Sequence, residues 1–323
     1  MSQANGMNYA PQGKPRPVVS QGEFVFAAMS LDHGHIYGMC NGLIEAGATL
    51  KWVYDPDPDK VRKFIETYPH VRAASSEQQI LQDAEVTLVA AAAIPCDRGP
   101  LGVRAMEHGK DYFTDKTPFT TLEQLEHAKR AAAQTGRKYS VYYSERLHVE
   151  SAVFAGQLIR DGAIGRVVQV LGLGPHRLNA SQRPDWFFKK AQYGGILCDI
   201  GSHQIEQFLY YSGCGNAEVL HSKVANYNCK GYPELEDYGD ATLVGDNGAT
   251  NYFRVDWLTP NGLSTWGTAE RLSWGRTVIS NCVNTSISRA TRVEISSTWL
   301  MEKASFTWIL PGRLVSRISA SFC

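Results

Sequence analysis

Between Glu23 and Ser140 short apolar runs alternate with segments whose apolar residues recur every three or four positions, and this alternation restricts the fold more than any other feature of the chain. Sequential strands and helices of that kind build a parallel sheet covered by helices. Strands are expected near Phe24 to Ala28, Thr49 to Tyr54, Val86 to Ala91, Asp111 to Thr114 and Lys138 to Tyr142, where the residues are β-branched, aromatic or alanine. Helices are expected over His35 to Ala46, Pro58 to Tyr68, Arg98 to His108 and Leu122 to Gln134. Gly47, Gly109 and Gly136 stand where these helices need a residue that tolerates a left-handed backbone. The pattern predicts an α/β fold with a doubly wound parallel sheet.

After about Glu145 the pattern changes. A helix through Val153 to Arg160, a strand at Val167 to Gly172, a long loop and a helix from about Ile200 to Tyr211 precede a run of strands. Those strands lie near Val219 to Tyr227, Asp240 to Val244, Ala249 to Trp257 and Leu263 to Trp266, which predicts a second, α+β domain with an open, mainly antiparallel sheet. A length of 323 residues suits two domains. The expected division is a disordered leader over 1–20, a nucleotide-type domain over 21–145, a substrate and oligomerisation domain over 146–267, and an atypical tail over 268–323.

Lys and Arg number 32 and Asp and Glu number 32, so bulk charge does not draw this chain to nucleic acid. The longest apolar stretch, Val86 to Ile94, ends at Pro95, far short of the roughly 20 residues a membrane span needs. Seven cysteines without CxxC spacing suit a reducing compartment, and a cytoplasmic location is expected.

The turn after the first strand reads MSLDHGHIYGM. A dinucleotide site carries GxGxxG there, so that backbone N–H groups approach a pyrophosphate. Ser30 and Asp32 occupy the places of the first two glycines, while Gly34 and Gly38 remain, and Asp32 would repel a diphosphate. Asp32, His33 and His35 also have the residue types of a metal site, but a helix cap with solvated imidazoles accounts for them, and no metal is expected. Asp55 ends the second strand where a carboxylate can hold a ribose hydroxyl, which favours NAD over NADP; the same Asp-Pro pair also suits a turn. Lys116 follows the fourth of the predicted strands, at the edge that faces ligands in open sheets. In YGGILCDIGSHQIEQ, Gly194 and Gly195 open a predicted helix on which Asp199 and His203, four apart, share one face as a candidate acid/base pair.

Together these segments resemble the GFO/IDH/MocA oxidoreductases, relatives of glucose-fructose oxidoreductase and inositol dehydrogenase. The likeness runs from Phe24 to about Trp266 through VYDPDPDK, AAIPCDRGPLGVRAMEHGKD, a DKTP similar to the family's EKP, TGRKYSVYYSERLH, and a GGILCDIGSH similar to its GGxxxDxxxH. It implies an N-terminal Rossmann domain and a C-terminal domain whose large sheet makes homo-oligomer contacts, as a dimer or tetramer. It further implies nicotinamide-dependent redox chemistry on a sugar or polyol, with neither nucleic acid nor membrane as partner. By position, Lys116 looks like the family's substrate and nicotinamide lysine, and Asp199 and His203 like its catalytic pair. The implied cofactor set is Ser30, His33, Gly34, His35, Asp55, Ala93, Pro95, Arg98 and Lys116, with NAD preferred. The implied substrate set is Arg146, His176 and Trp186, near Tyr143, Glu145 and Arg177. In such a site His203 would take the hydroxyl proton, Asp199 would orient it, and Lys116 would steady alkoxide charge. The alternative expectation is an inactive or regulatory relative that keeps the shape without the catalysis.

The tail departs from this likeness. Residues 268–323 contain neither Asp nor Tyr and hold 7 Lys and Arg against 3 Asp and Glu, while residues 1–267 hold 25 against 29. Joining each codon's last base to the first two of the next permits DGGTSFLGTDGYIELRKYVDIA from Gly267 to Arg289, a string similar to the family's missing strands. A one-nucleotide frameshift near Gly267 is the expectation, with a sheet left incomplete.

Overall fold

The computed structural model describes residues 17–262 throughout and, beyond them, the strand segments 265–275, 278–287, 297–301, 309–310 and 313–314. The expected leader falls mostly on residues 1–16, outside the described residues. The last of it is ordered, since the Val18 and Val19 amides donate to the Ala46 carbonyl at 2.9 and 3.3 Å.

The first domain runs β1 (Val25–Met29), α1 (His35–Glu45), β2 (Thr49–Tyr54), α2 (Pro58–Thr67), β3 (Arg72–Ala73), α3 (Glu77–Gln82), β4 (Leu88–Ala91), α4 (Pro95–Glu107), β5 (Asp111–Asp115), α5 (Leu122–Thr135) and β6 (Tyr139–Tyr142). All six strands are parallel, in the order β3-β2-β1-β4-β5-β6. That order is the doubly wound arrangement, in which the chain reverses direction across the sheet between β1 and β4 and leaves a crevice at the strands' carboxyl ends. Phe26, Ala27, Ala28 and Met29 of β1 and Val89, Ala90 and Ala91 of β4 are wholly buried, as central strands covered on both faces must be. Helix starts follow local chemistry: Asp57 accepts from the Asp59 amide at 2.9 Å, and Thr121 from the Gln124 amide at 3.2 Å. At the other end of α5, Gly136 takes a left-handed φ of 68°. In α4, Gly102 lets the helix lie on two tyrosine rings, since a Cβ there would meet Tyr139 at 2.4 Å and Tyr112 at 2.6 Å.

Sequence patterning places these elements to within a few residues, with three exceptions. The two-residue β3 and the six-residue α3 are too short to show a period. Helix α4 begins at Pro95 rather than Arg98, because proline at a first helical position lacks only a donor that the helix leaves unpaired anyway.

The second domain comprises α6 (Ser144–Leu147), α7 (Glu150–Arg160), β7 (Val167–Pro175), α8 (Lys190–Tyr193), α9 (Ile196–Asp199), α10 (Gly201–Ser212), β8 (Ala217–Ala225), β9 (Tyr238–Gly245), β10 (Thr250–Asp256), β11 (Thr265–Gly275), β12 (Val278–Ile287) and β13 (Ser297–Met301). The strands form one sheet in the order β13-β12-β11-β7-β10-β9-β8, antiparallel except for the β7–β10 pair. One face packs on α9 and α10 around Ile196, Ile200, Phe208, Phe253 and Val255. Two expectations change here. The predicted helix carrying Asp199 and His203 is broken at Ile200, so Asp199 ends α9 and His203 sits in the first turn of α10. The sheet also continues past Gly267 through β11, β12 and β13. Main-chain pairing needs no regular side-chain alternation, so β11 extends the sheet along the free edge of β7.

Candidate active site

Lys116 follows β5 directly, at the carboxyl edge of the parallel sheet. Its ammonium reaches across to the second domain, where it donates to the Asp199 carboxylate and, at 3.2 Å, to the Asp199 carbonyl. The two side chains are 12% and 14% exposed. Burial pushes the Asp199 carboxyl up, but the Lys116 ammonium outweighs it and holds the group below its ordinary pKa. The Thr117 hydroxyl donates to the Cys198 carbonyl beside this pair, so the DKTP segment and the end of α9 are joined twice.

His203 is 3% exposed, its Nδ1 has no hydrogen-bond partner among the described residues, and its ring meets Tyr143 edge-on at 5.7 Å. Burial lowers its pKa to about 4, against the pull of the Glu145 carboxylate, so the imidazole is neutral at pH 7. The expected Asp199–His203 pairing is replaced by the Lys116–Asp199 pair, because the break at Ile200 separates the two residues onto different helices. His176, just after β7, lies with Nδ1 at 3.1 Å from the Gly174 carbonyl and Nε2 at 3.6 Å from Glu145. Glu145 thus stands between two imidazoles and accepts from Gln207 at 3.3 Å.

At the first turn Ser30 holds a positive φ of 53°, the conformation that a glycine would take most easily. Its amide donates to Tyr54 and its carbonyl accepts from Ala92, both at 3.1 Å, which pins the turn between β2 and β4. The Asp55 carboxylate accepts from the Leu31 amide at 2.6 Å and the Asp57 amide at 2.9 Å. Asp32 pairs with Lys60 at 2.6 Å, and the same ammonium lies 3.7 Å from Asp55. Helix α1 starts at Gly34 without a side-chain cap and with no acidic residue in its first turn. An uncapped helix start in this crevice, with the one misplaced carboxylate neutralised by Lys60, fits a dinucleotide phosphate.

Asp115 is fully buried and gathers His35 Nδ1 at 2.8 Å, His33 Nδ1 at 3.0 Å and Arg98 Nη2 at 3.3 Å. Burial pushes its carboxyl up, but these three groups hold it well below the carboxylate range. Burial and the neighbouring His35 lower His33 to about 4. Candidate ligand atoms of His33, His35 and Asp115 all lie within 4.8 Å of one another, the residue types of a metal site. The Arg98 guanidinium on the same carboxylate opposes a second cation there.

The cleft between the domains is lined by His33, Pro95, Arg98, Asp115, Lys116, Arg183, Trp186, Phe187, Tyr193, Asp199 and Trp257. Trp186 therefore stands at the cleft, as does Pro95. Arg98 acts largely as a brace, donating to the carbonyls of Ala93 at 2.6 Å and Thr117 at 3.2 Å and to that of Lys116. Arg146 is held elsewhere: its Nε donates to Glu206 at 2.5 Å and its guanidinium lies 4.1 Å over the Tyr210 ring. Arg177 donates to the Pro260 carbonyl at 3.1 Å. Sequence reasoning passed over Asp115, Lys60, Arg183 and Trp257. The first two stand inside DKTP and VYDPDPDK, where a charged residue at a strand end or helix start was the available signal.

A parallel sheet in the doubly wound order, its crevice closed by a second domain that brings a carboxylate to the sheet's own lysine, defines a two-domain protein of dinucleotide-binding type. Residues 35–143 match the family described as oxidoreductase family, NAD-binding Rossmann fold, and residues 153–272 match the GFO/IDH/MocA C-terminal domain. A putative oxidoreductase of Erwinia carotovora atroseptica is 50% identical and superposes with a TM-score of 0.82, covering 87% of this chain and 84% of its own. D-xylose dehydrogenase of Paenarthrobacter nicotinovorans is 24% identical over 63% of this chain and 52% of its own length. The NAD(+)-dependent scyllo-inositol 2-dehydrogenase of Bacillus subtilis is 24% identical over 67% of this chain and 62% of its own. The chain thus spans between half and two thirds of these two curated relatives. It belongs to the GFO/IDH/MocA oxidoreductase family.

Proposed function

We propose that the protein is an NAD(H)-dependent dehydrogenase exchanging a hydride with a secondary alcohol, or its carbonyl, on a sugar, a sugar derivative or a cyclic polyol. The observation that carries this reading is the Lys116–Asp199 pair beside a neutral, buried His203 at the carboxyl edge of the parallel sheet. The xylose and inositol dehydrogenases among its relatives support the substrate class. NAD supplies the hydride acceptor when bound. Lys116 hydrogen-bonds the substrate oxygen and steadies the negative charge that grows as the proton leaves. Asp199 holds that ammonium in place. His203 holds a free lone pair at neutral pH and takes the proton, and Glu145 nearby steadies the imidazolium.

The Asp55 carboxylate disfavours a 2′-phosphate, which supports NAD over NADP. The second sheet exposes Val219, Leu220 and Val224 along β8 and Tyr252 on β10, a surface suited to a second copy of the chain in a dimer or tetramer. Among the described residues no helix is long and apolar enough to cross a membrane; a cytoplasmic location belongs to the same proposal. Ser30 and Asp32 in the glycine places favour a second reading, a relative that keeps the shape without turnover.

Titration with NADH and NADPH, followed by nicotinamide fluorescence and thermal stability, separates these readings. Saturable NADH uptake with turnover that Lys116→Ala abolishes is expected. Absence of uptake overturns the dehydrogenase reading, and uptake without turnover of any sugar or polyol favours the second.

A further inference from the structure

Asp199 is the last residue of α9, a helix of four residues, and a single helical turn does not hold itself together in water. The Asp199 carboxylate therefore stays against Lys116 only because other parts of the fold grip the two ends of α9. At the rear end the Thr117 hydroxyl donates to the Cys198 carbonyl. At the front end stands Glu236, in the segment that leads into β9. Its carboxylate accepts from the Ile196 amide at 2.9 Å through one oxygen and pairs with Lys190 through the other. It sits so close to Gly195 that a Cβ there would meet Glu236 Oε2 at 2.7 Å, and Gly195 holds a left-handed φ of 91°. The Asp199 amide in turn donates to the Gly195 carbonyl at 2.9 Å, so the catalytic carboxylate hangs from the residues that Glu236 fixes.

Glu236 is itself held rigidly. It is 9% exposed, and its amide donates to the Tyr193 hydroxyl at 2.9 Å. The next residue, Asp237, donates its amide to the Ala225 carbonyl and accepts at its own carbonyl from the Trp257 amide, both at 2.9 Å. A continuous path of hydrogen bonds thus runs from the second sheet through Glu236 and α9 to the Lys116 ammonium. Lys190 is 56% exposed, and an exposed ion pair contributes little. The bond from the buried Ile196 amide matters more, because a buried donor that loses its acceptor is costly and its segment shifts to find another.

We propose that Glu236 is a positioning residue of the reaction, its carboxylate oxygen holding the start of α9 so that Asp199 meets Lys116. This rests on the dehydrogenase reading and adds a residue to it.

The test uses the full chain with NAD and a panel of D-xylose, D-glucose, myo-inositol and scyllo-inositol, NADH formation being followed by absorbance. Glu236→Ala and Glu236→Asp, whose side chains are too short to reach the Ile196 amide, are expected to lower kcat by about tenfold or more, the scale on which a displaced catalytic group loses rate. KM and NADH affinity should stay within about twofold of the parent, since the interaction lost is one that serves the transition state. Glu236→Gln, which keeps an oxygen for the amide, should restore kcat to within about threefold of the parent. Lys190→Met, which removes only the exposed ion pair, should leave kcat unchanged. A parent-like kcat in both short variants, a Glu236→Gln as slow as Glu236→Ala, a Lys190→Met as slow as either, or loss of NADH uptake in both short variants would each overturn the proposal and leave the dehydrogenase reading standing. Absence of turnover by the parent chain on every member of the panel overturns both.

Discussion

The ammonium of Lys116 and the carboxylate of Asp199, 83 residues apart in the chain, form a nearly buried ion pair across the two domains. Neither is in place for chemistry until both domains have folded and docked. A buried pair is strongly destabilised when one partner is removed, because the other charge is left uncompensated.

Lys116→Ala is therefore expected to reduce kcat by on the order of 10²–10³, the loss seen when a preorganised donor to a developing oxyanion is removed. NADH affinity should change little. Asp199→Asn is expected to lower both kcat and the melting temperature, since it strands the ammonium. Steady-state kinetics beside NADH titration checks this, and full activity in Lys116→Ala would remove the lysine from the mechanism.

Stability should fall as pH drops from neutral towards 4. His33 and His203 are held near 4 in the folded chain, while a solvated histidine of the unfolded chain titrates near 6.5. Between those values the unfolded state binds more protons, so acid favours unfolding; above 6.5 the contribution is fully present, and below about 4 it is gone. Urea midpoints at pH 7, 6 and 5 should decline in order, and His203→Asn should flatten the decline. A midpoint constant over that range would contradict the burial of these imidazoles.

Lys60 is expected to protect the cofactor from Asp32. Lys60→Ala exposes the Asp32 carboxylate to the diphosphate crevice and should weaken NADH binding by about tenfold, the scale of one unscreened charge contact of ~1.4 kcal/mol. Asp32→Asn in the same background should restore the affinity. Two variants that both bind as tightly as the parent would show that the diphosphate lies elsewhere.

Translation of the coding DNA in the adjacent frame from Gly267 to Arg289 is expected to read DGGTSFLGTDGYIELRKYVDIA. The match to the GFO/IDH/MocA C-terminal domain extends to residue 272, close to the proposed shift. Unrelated residues or stop codons in that frame would show the tail to be a divergent end of the same reading frame.

Much of this was legible in residue order. Period-two and period-3.6 patterns report which face of a segment is buried, and burial in a parallel sheet is nearly uniform, so β1, β2, β5 and α2 stand where their patterning places them. The six-residue α3 carried too few turns to register a period. Lys116 and Asp199 were recognisable from local motifs. What each binds was not: Asp199 turns to Lys116 instead of His203, Arg146 to Glu206, and both His33 and His35 to Asp115, 80 residues beyond His35. Residue order alone decided the strand and helix alternation, because backbone preference and burial act over a few residues. The pairing of charges was decided only by the docking of two sheets, because an ion pair depends on distance in space and carries no period along the chain.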